Sequence, residues 1–167
     1  RENYPPQVFA SLMNIVGTHD TPRALTLLGH GDAAGTTRDE RAAYRLTPAE
    51  KKRGAALLRI AALLQFAFVG SPCVYYGDEA GVQGFEDPFN RRTYPWGHED
   101  RALLSWYRML GAARRRYAAL REGELRFLRA RGELLLFERS TPEPLPTVPT
   151  SSARCASPAP ARACATK

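Results

Sequence analysis

The sequence predicts an α/β chain organised around one βαβ unit, and three observations carry that expectation. Leu12–Val16 is a short, apolar, part β-branched run, and Gly17, Thr18 and Asp20 follow it, the pattern of a buried strand ended by a turn. Thr47-Pro48-Ala49-Glu50 then opens a long apolar stretch with an N-cap threonine, a proline at the first helical position and a glutamate placed to close a capping box. Cys73–Tyr76 is a second short apolar run, closed by Gly77-Asp78-Glu79. Strand, helix, strand in that order makes parallel neighbours. Strands apolar on both faces suit a sheet covered by helices.

The remaining elements follow in order. Residues 1–6 read as a connector, and Gln7–Met13 as a helix end or the lead into the first strand. Gly, Asp and Thr mark Gly29–Arg38 as a loop. The helix from Thr47 runs to about Val69; Leu57, Leu58, Ala61, Ala62, Leu64, Gln65 and Phe68 predict burial over much of its surface, and Gly70-Ser71-Pro72 stops it. Ala80–Gly97 is a loop rich in turn residues and aromatics. Asp100–Arg121 reads as one helix with Leu103, Leu104, Tyr107, Leu110, Tyr117 and Leu120 on its apolar face. Glu124–Leu128 and Glu133–Glu138 alternate, with Arg129–Gly132 as the hairpin turn between them. From Thr141 to Lys167 large apolar residues almost vanish, and disorder is expected. The expected organisation is therefore 1–122 α/β, 123–140 the start of a β-domain, and 141–167 a disordered tail.

Composition excludes several functions. The formal charge is +7, but the positive residues are almost all arginine in an alanine- and leucine-rich chain, and no nucleic-acid motif accompanies them. Arg114-Arg115-Arg116 reads as a solvated helix face. The longest apolar stretch, Ala55–Val69, is interrupted by Arg59 and Gln65 and falls short of a membrane span. Three cysteines make no disulfide framework: Cys73 reads as a buried small hydrophobe, and Cys155 and Cys164 lack zinc spacing. The chain opens on Arg1 and its methionines are Met13 and Met109, so it is expected to be a piece of a longer protein.

Chemistry concentrates after the first strand. Polar residues just past the C-terminal end of a buried parallel strand are where α/β barrels keep their active groups. Here that position holds His19, Asp20 and Arg23, whose guanidinium fork suits Asp20 or a neighbouring carboxylate. Val16-Gly17-Thr18-His19-Asp20-Thr21-Pro22-Arg23 resembles the strand-seven signature of the α-amylase superfamily of glycoside hydrolases. Ser71–Glu79 is similar to that family's strand eight, and Gly84–Arg92 with Trp96 to the loop after it, in the family's order and spacing. The nearest likeness is to the neopullulanase, cyclomaltodextrinase and maltogenic-amylase branch, over about Arg1–Ser140.

The resemblance implies the C-terminal part of a (β/α)8 TIM barrel, about strands seven and eight with their helices, followed by the start of a C-terminal β-domain. It implies an α-glucan oligosaccharide substrate cleaved at α-1,4 bonds, with α-1,6 bonds the other option, through an oxocarbenium-like transition state. Asp20 is implied as the transition-state stabiliser and His19 as its partner on the same sugar. Asp87 and Arg91 are implied as substrate-binding residues, and Arg23 is placed with them. Glu79 is read as a residue positioning loops, Tyr75 and Tyr76 as core and pocket wall, and Trp96 and Phe85 as either sugar-stacking or packing groups. The family takes its nucleophile and general acid from strands four and five, so the isolated chain is expected to be inactive and at best partly folded. No cofactor is implied; calcium is an option for the whole protein, with no ligands identified here. No nucleic-acid or membrane partner is expected, a homo-oligomer is an option, and a cytoplasmic location is favoured by the likeness. A non-catalytic relative serving protein interaction is the alternative; such relatives usually lose the His-Asp pair and the sugar-gripping arginine, which are present.

Overall fold

The structure is a computed structural model, and it describes residues 3–141. The expected disorder of the tail falls, from residue 142 onward, outside the described residues. The elements are α1 (Pro6–Ala10), β1 (Met13–Ile15), α2 (Ala24–Gly29), α3 (Arg38–Ala43), α4 (Pro48–Ala67), β2 (Ser71–Cys73), a 3-10 turn (Phe89–Arg91), α5 (Arg101–Arg116), α6 (Ala118–Glu122), β3 (Glu124–Arg131) and β4 (Leu134–Ser140). The class is α/β, as expected, and the central unit is β1–α4–β2.

β1 and β2 pair in parallel, Met13 opposite Ser71 and Ile15 opposite Cys73. α4 starts where its capping box places it: Thr47 accepts from the Glu50 amide, and the Glu50 side chain accepts from the Thr47 amide. A polar stitch ties helix to sheet. The buried Gln65 amide donates to the carbonyls of Asn14 (2.9 Å) and Cys73 (2.8 Å). Asn14 donates in return to the carbonyls of Gln65 and Val69, both 3.1 Å. Paired groups of this kind hold a strand to a helix without leaving buried donors unmet.

The apolar core lies between helices. Ala24, Leu25, Leu58 and Leu103 form one buried cluster; Ala62, Tyr107 and Leu110 form another. α2 crosses α4 at Gly29 and Gly54, where a Cβ on Gly54 would stand 2.6 Å from the Leu25 carbonyl oxygen. A side chain at that crossing would push the two helices apart. Arg114 closes the C-terminal end of α4, donating to the carbonyls of Phe66 (2.7 Å) and Phe68 (3.3 Å). Arg139 of β4 bonds the Ala67 carbonyl at 2.7 Å and so ties the hairpin to the same helix end.

Several expectations need correction. The strands are not buried on both faces: Met13, Ile15 and Cys73 are exposed, because only the α4 side of the sheet is covered among the described residues. Cys73 is therefore not a buried hydrophobe. The second strand is Ser71–Cys73, not Cys73–Tyr76, since the chain leaves the sheet to carry Tyr75 and Tyr76 onto Arg23. α4 buries one stripe (Gly54, Leu58, Ala62, Gln65) while Leu57, Ile60 and Leu63 are exposed. α2 and α3 occupy stretches left unassigned or read as loop. The helix over 100–121 breaks at Tyr117, which is extended (φ −102°, ψ 111°) and exposed, and no glycine or proline marks the break. Arg114 is a capping residue rather than part of a solvated stripe. The antiparallel hairpin is longer than expected and turns at Gly132, because Arg129–Arg131 pair with Leu134–Leu136 after a register shift at Phe127/Arg129.

Candidate functional site

The polar turn after β1 is shaped by its threonines. Thr18 accepts from the Asp20 amide (3.2 Å), and Thr21 Oγ1 accepts from the Thr18 amide (3.2 Å). This local bonding takes the place of a strand ladder and sends His19 and Asp20 outward. Both are exposed, with His19 Nε2 3.3 Å from Asp20 Oδ1 and the Asp20 side chain 74% accessible.

The loop after β2 brings a second acidic group to the same place. Arg91, at the end of the 3-10 turn, meets Asp87 Oδ1 through Nε at 2.7 Å and approaches Asp20 Oδ1 through Nη2 at 3.9 Å. The four residues expected to handle sugar, His19, Asp20, Asp87 and Arg91, are thus brought together in one exposed line. The line alternates acceptors and donors, which fits neighbouring hydroxyls that both give and take hydrogen bonds.

Arg23 does not belong to that line. The residue is 1% exposed, so the expected substrate-binding role gives way to positioning. Arg23 Nε donates to the Asn90 carbonyl at 2.6 Å and Nη1 to the Tyr76 carbonyl, while Nη1 lies 3.3 Å from Asp78 Oδ1. Its guanidinium carbon sits 4.2 Å and 4.6 Å from the ring centroids of Tyr75 and Tyr76. Of the two carboxylate partners anticipated for it, the neighbouring one is used and Asp20 is not. Burial pushes the Asp78 carboxyl up to about 6, against the opposing pull of Arg23. Gly17 makes room for it: a Cβ there would stand 2.5 Å from Asp78 Oδ2.

Asn90 completes the scaffold. It is fully buried, and its amide nitrogen donates to the carbonyls of His19 (2.7 Å) and Thr21 (2.9 Å), fixing the turn that carries Asp20. Gly84 is held to the start of α2 from both sides, accepting from the Arg23 amide (2.9 Å) and donating to Thr26 Oγ1 (2.9 Å). Asn90 and Asp78 were inside motifs visible in the sequence, but no spacing signal says that an amide reaches carbonyls 69 and 71 positions away.

The other candidates separate. Phe85 is 2% exposed and packs against His30 and Tyr44, so it is core and not a stacking platform. Trp96 is exposed and rests on Tyr94 with ring centroids 4.5 Å apart. Glu79 was expected to hydrogen-bond loops; its buried Oε2 has no partner among the described residues, and it faces the α5 side beside Tyr107 and Arg108. Among the described residues no group of three His, Cys, Asp or Glu is placed to hold a metal, and no helix is long and apolar enough to cross a membrane.

No family model matches the chain. Over 138 residues, 83% of its length, the chain is 41% identical to the amylopullulanase of Thermoanaerobacter thermohydrosulfuricus, and it covers 9% of that protein. It is 36% identical over 134 residues to the cyclomaltodextrinase of Geobacillus thermopakistaniensis, covering 79% of this chain and 19% of that one. The debranching enzyme from Nostoc punctiforme superposes with a TM-score of 0.66 at 31% identity, over 84% of this chain and 24% of that structure. The chain thus spans less than a quarter of the length of these relatives.

Proposed function

We propose, from the premise that this chain belongs to the α-amylase superfamily of glycoside hydrolases, that the protein carrying it is a retaining α-glucan hydrolase. Its bonds are α-1,4 glucosidic linkages, with α-1,6 linkages the other option, in maltodextrins, cyclodextrins or pullulan. In this reading β1 and β2 are the seventh and eighth strands of a (β/α)8 barrel, residues 1–122 are the end of that barrel, and 123–140 begin a β-domain.

One observation carries the proposal: Arg91 stands between Asp20 and Asp87 on an exposed rim, at 3.9 Å and 2.7 Å, over a buried scaffold. Glycosidic cleavage builds positive charge on the sugar ring. A carboxylate already held beside that ring stabilises the charge without reorganising, and hydroxyls bonded to Asp20 and His19 keep the ring in place. Asp87 and Arg91 grip the adjoining hydroxyls. Retention requires a nucleophile and a general acid about 5 Å apart with the scissile bond between them. Asp20 and Asp87 serve as grips in this reading, and the resemblance to the family implies that the two bond-breaking carboxylates come from strands four and five.

The test is Asp20→Asn in the whole protein. Loss of one preorganised electrostatic contact predicts a fall in kcat on maltodextrin of about 10²- to 10³-fold. Unchanged hydrolysis by that variant would remove Asp20 from the mechanism and the proposal with it.

A further inference from the structure

Asp20 has the most exposed side chain of the four rim residues, yet a carboxylate that stabilises developing charge must be held still beforehand. Its side-chain neighbours do not hold it. His19 Nε2 stands at 3.3 Å and Arg91 Nη2 at 3.9 Å, all of them open to water. The threonine bonds of the turn are 3.2 Å or longer and exposed, so water competes for each of them.

Asn90 is different. It is fully buried, and its one amide nitrogen spends both N–H donors on the carbonyls of the two residues flanking Asp20, His19 at 2.7 Å and Thr21 at 2.9 Å. A serine offers one donor there and an aspartate none. The staple is anchored in turn. The main-chain carbonyl of Asn90 accepts from the buried Arg23 Nε at 2.6 Å. A Cβ on Gly84 would collide with the Phe89 carbonyl oxygen, so the 3-10 turn that carries Asn90 closes down only over a glycine. Arg91 follows directly, so one short stretch fixes the backbone around Asp20 through residue 90 and meets Asp87 through residue 91.

We infer that Asn90 is a positioning residue that preorganises Asp20 for the transition state. The inference rests on the functional reading above. Asn90→Ala removes the two side-chain donors but keeps the main-chain carbonyl that Arg23 holds, so Arg91 and Asp87 stay where they are. Rate is lost and substrate grip is kept.

The experiment measures kcat and KM on maltodextrin for the whole protein with Asn90→Ala and Asn90→Ser, each alone and combined with Asp20→Asn. In Asn90→Ala, kcat is expected to fall roughly 10- to 100-fold, the effect of a misplaced group, with KM changed less than about twofold. Asn90→Ser keeps one donor and should fall less. On top of Asp20→Asn, Asn90→Ala should lower kcat by less than about twofold, since residues that act as a unit do not add. The same fold-loss in both backgrounds would make Asn90 a general structural residue and overturn the inference; so would an unchanged kcat, or a rise in KM alone. If Asn90→Ala does not fold, Asn90→Ser is read in its place, and failure of both to fold overturns the inference as well. Full activity in Asp20→Asn, or a wild type that leaves maltodextrin uncleaved, overturns the hydrolase reading first and this inference with it.

Discussion

Two arginine–aspartate pairs draw on the loop after β2 and do opposite work. Arg23 and Asp78 are 3.3 Å apart with side chains 0% and 2% exposed; Arg91 and Asp87 are 2.7 Å apart with side chains 48% and 61% exposed. The shorter pair contributes little to stability, because water screens it and competes for its hydrogen bonds. In the buried pair desolvation dominates, which is why the Asp78 carboxyl rises to about 6 beside a guanidinium. That guanidinium is kept by its other partners, the Asn90 and Tyr76 carbonyls and the two tyrosine rings. Distance alone does not rank ion pairs. Burial turns one pair into scaffold, and exposure leaves the other available to a ligand.

The largest expected effect breaks the buried pair. Arg23→Ala leaves Asp78 and two carbonyls without their donor in a closed space, and about 3–5 kcal/mol of stability should be lost by urea unfolding. A loss no larger than a surface mutation gives would show that the node is not the scaffold. Next, pH should sharpen the contrast. The folded value of Asp78, about 6, stands above its ordinary 3.8. Between those values the folded chain holds a proton that the unfolded chain has released. The stabilisation from this group is full below 3.8 and is lost as pH rises through about 6, roughly 3 kcal/mol in all. In Asp78→Asn that slope should be absent; an identical slope in both proteins would assign it to another group. The smallest effect on stability is expected from Arg91→Ala, within about 1 kcal/mol. In the whole protein the same variant should raise KM for maltooligosaccharides roughly tenfold. Destabilisation as large as that of Arg23→Ala would erase the distinction between the two pairs.

Legibility followed the range of the interactions. The start of α4 was readable because its capping box closes between residues three apart, Thr47 and Glu50. The parallel pairing of β1 with β2 followed from a strand–helix–strand order that leaves one compact arrangement. The cluster of His19, Asp20, Asp87 and Arg91 was readable as chemistry from three motifs in order. The break at Tyr117 was not, since no residue type there disfavours helix, and the extra length of β3 and β4 depends on cross-strand partners. The fate of Arg23 was also hidden: arginine is commonly a surface residue, and its burial depends on Asp78, Asn90, Tyr75 and Tyr76 converging from 52 or more positions away.

By itself, then, the sequence determined the α/β class, the long capped helix, the parallel strand pair and the candidate residues that meet on the exposed polar rim. Local capping, apolar periodicity and motif spacing act over a few residues or along one chain direction, and they survive in one dimension. Only the tertiary structure decided which arginine is buried scaffold and which stands exposed on the rim, and that Asn90 ties the two loops together. Those outcomes turn on desolvation and on contacts across loops, which exist only once the chain has folded.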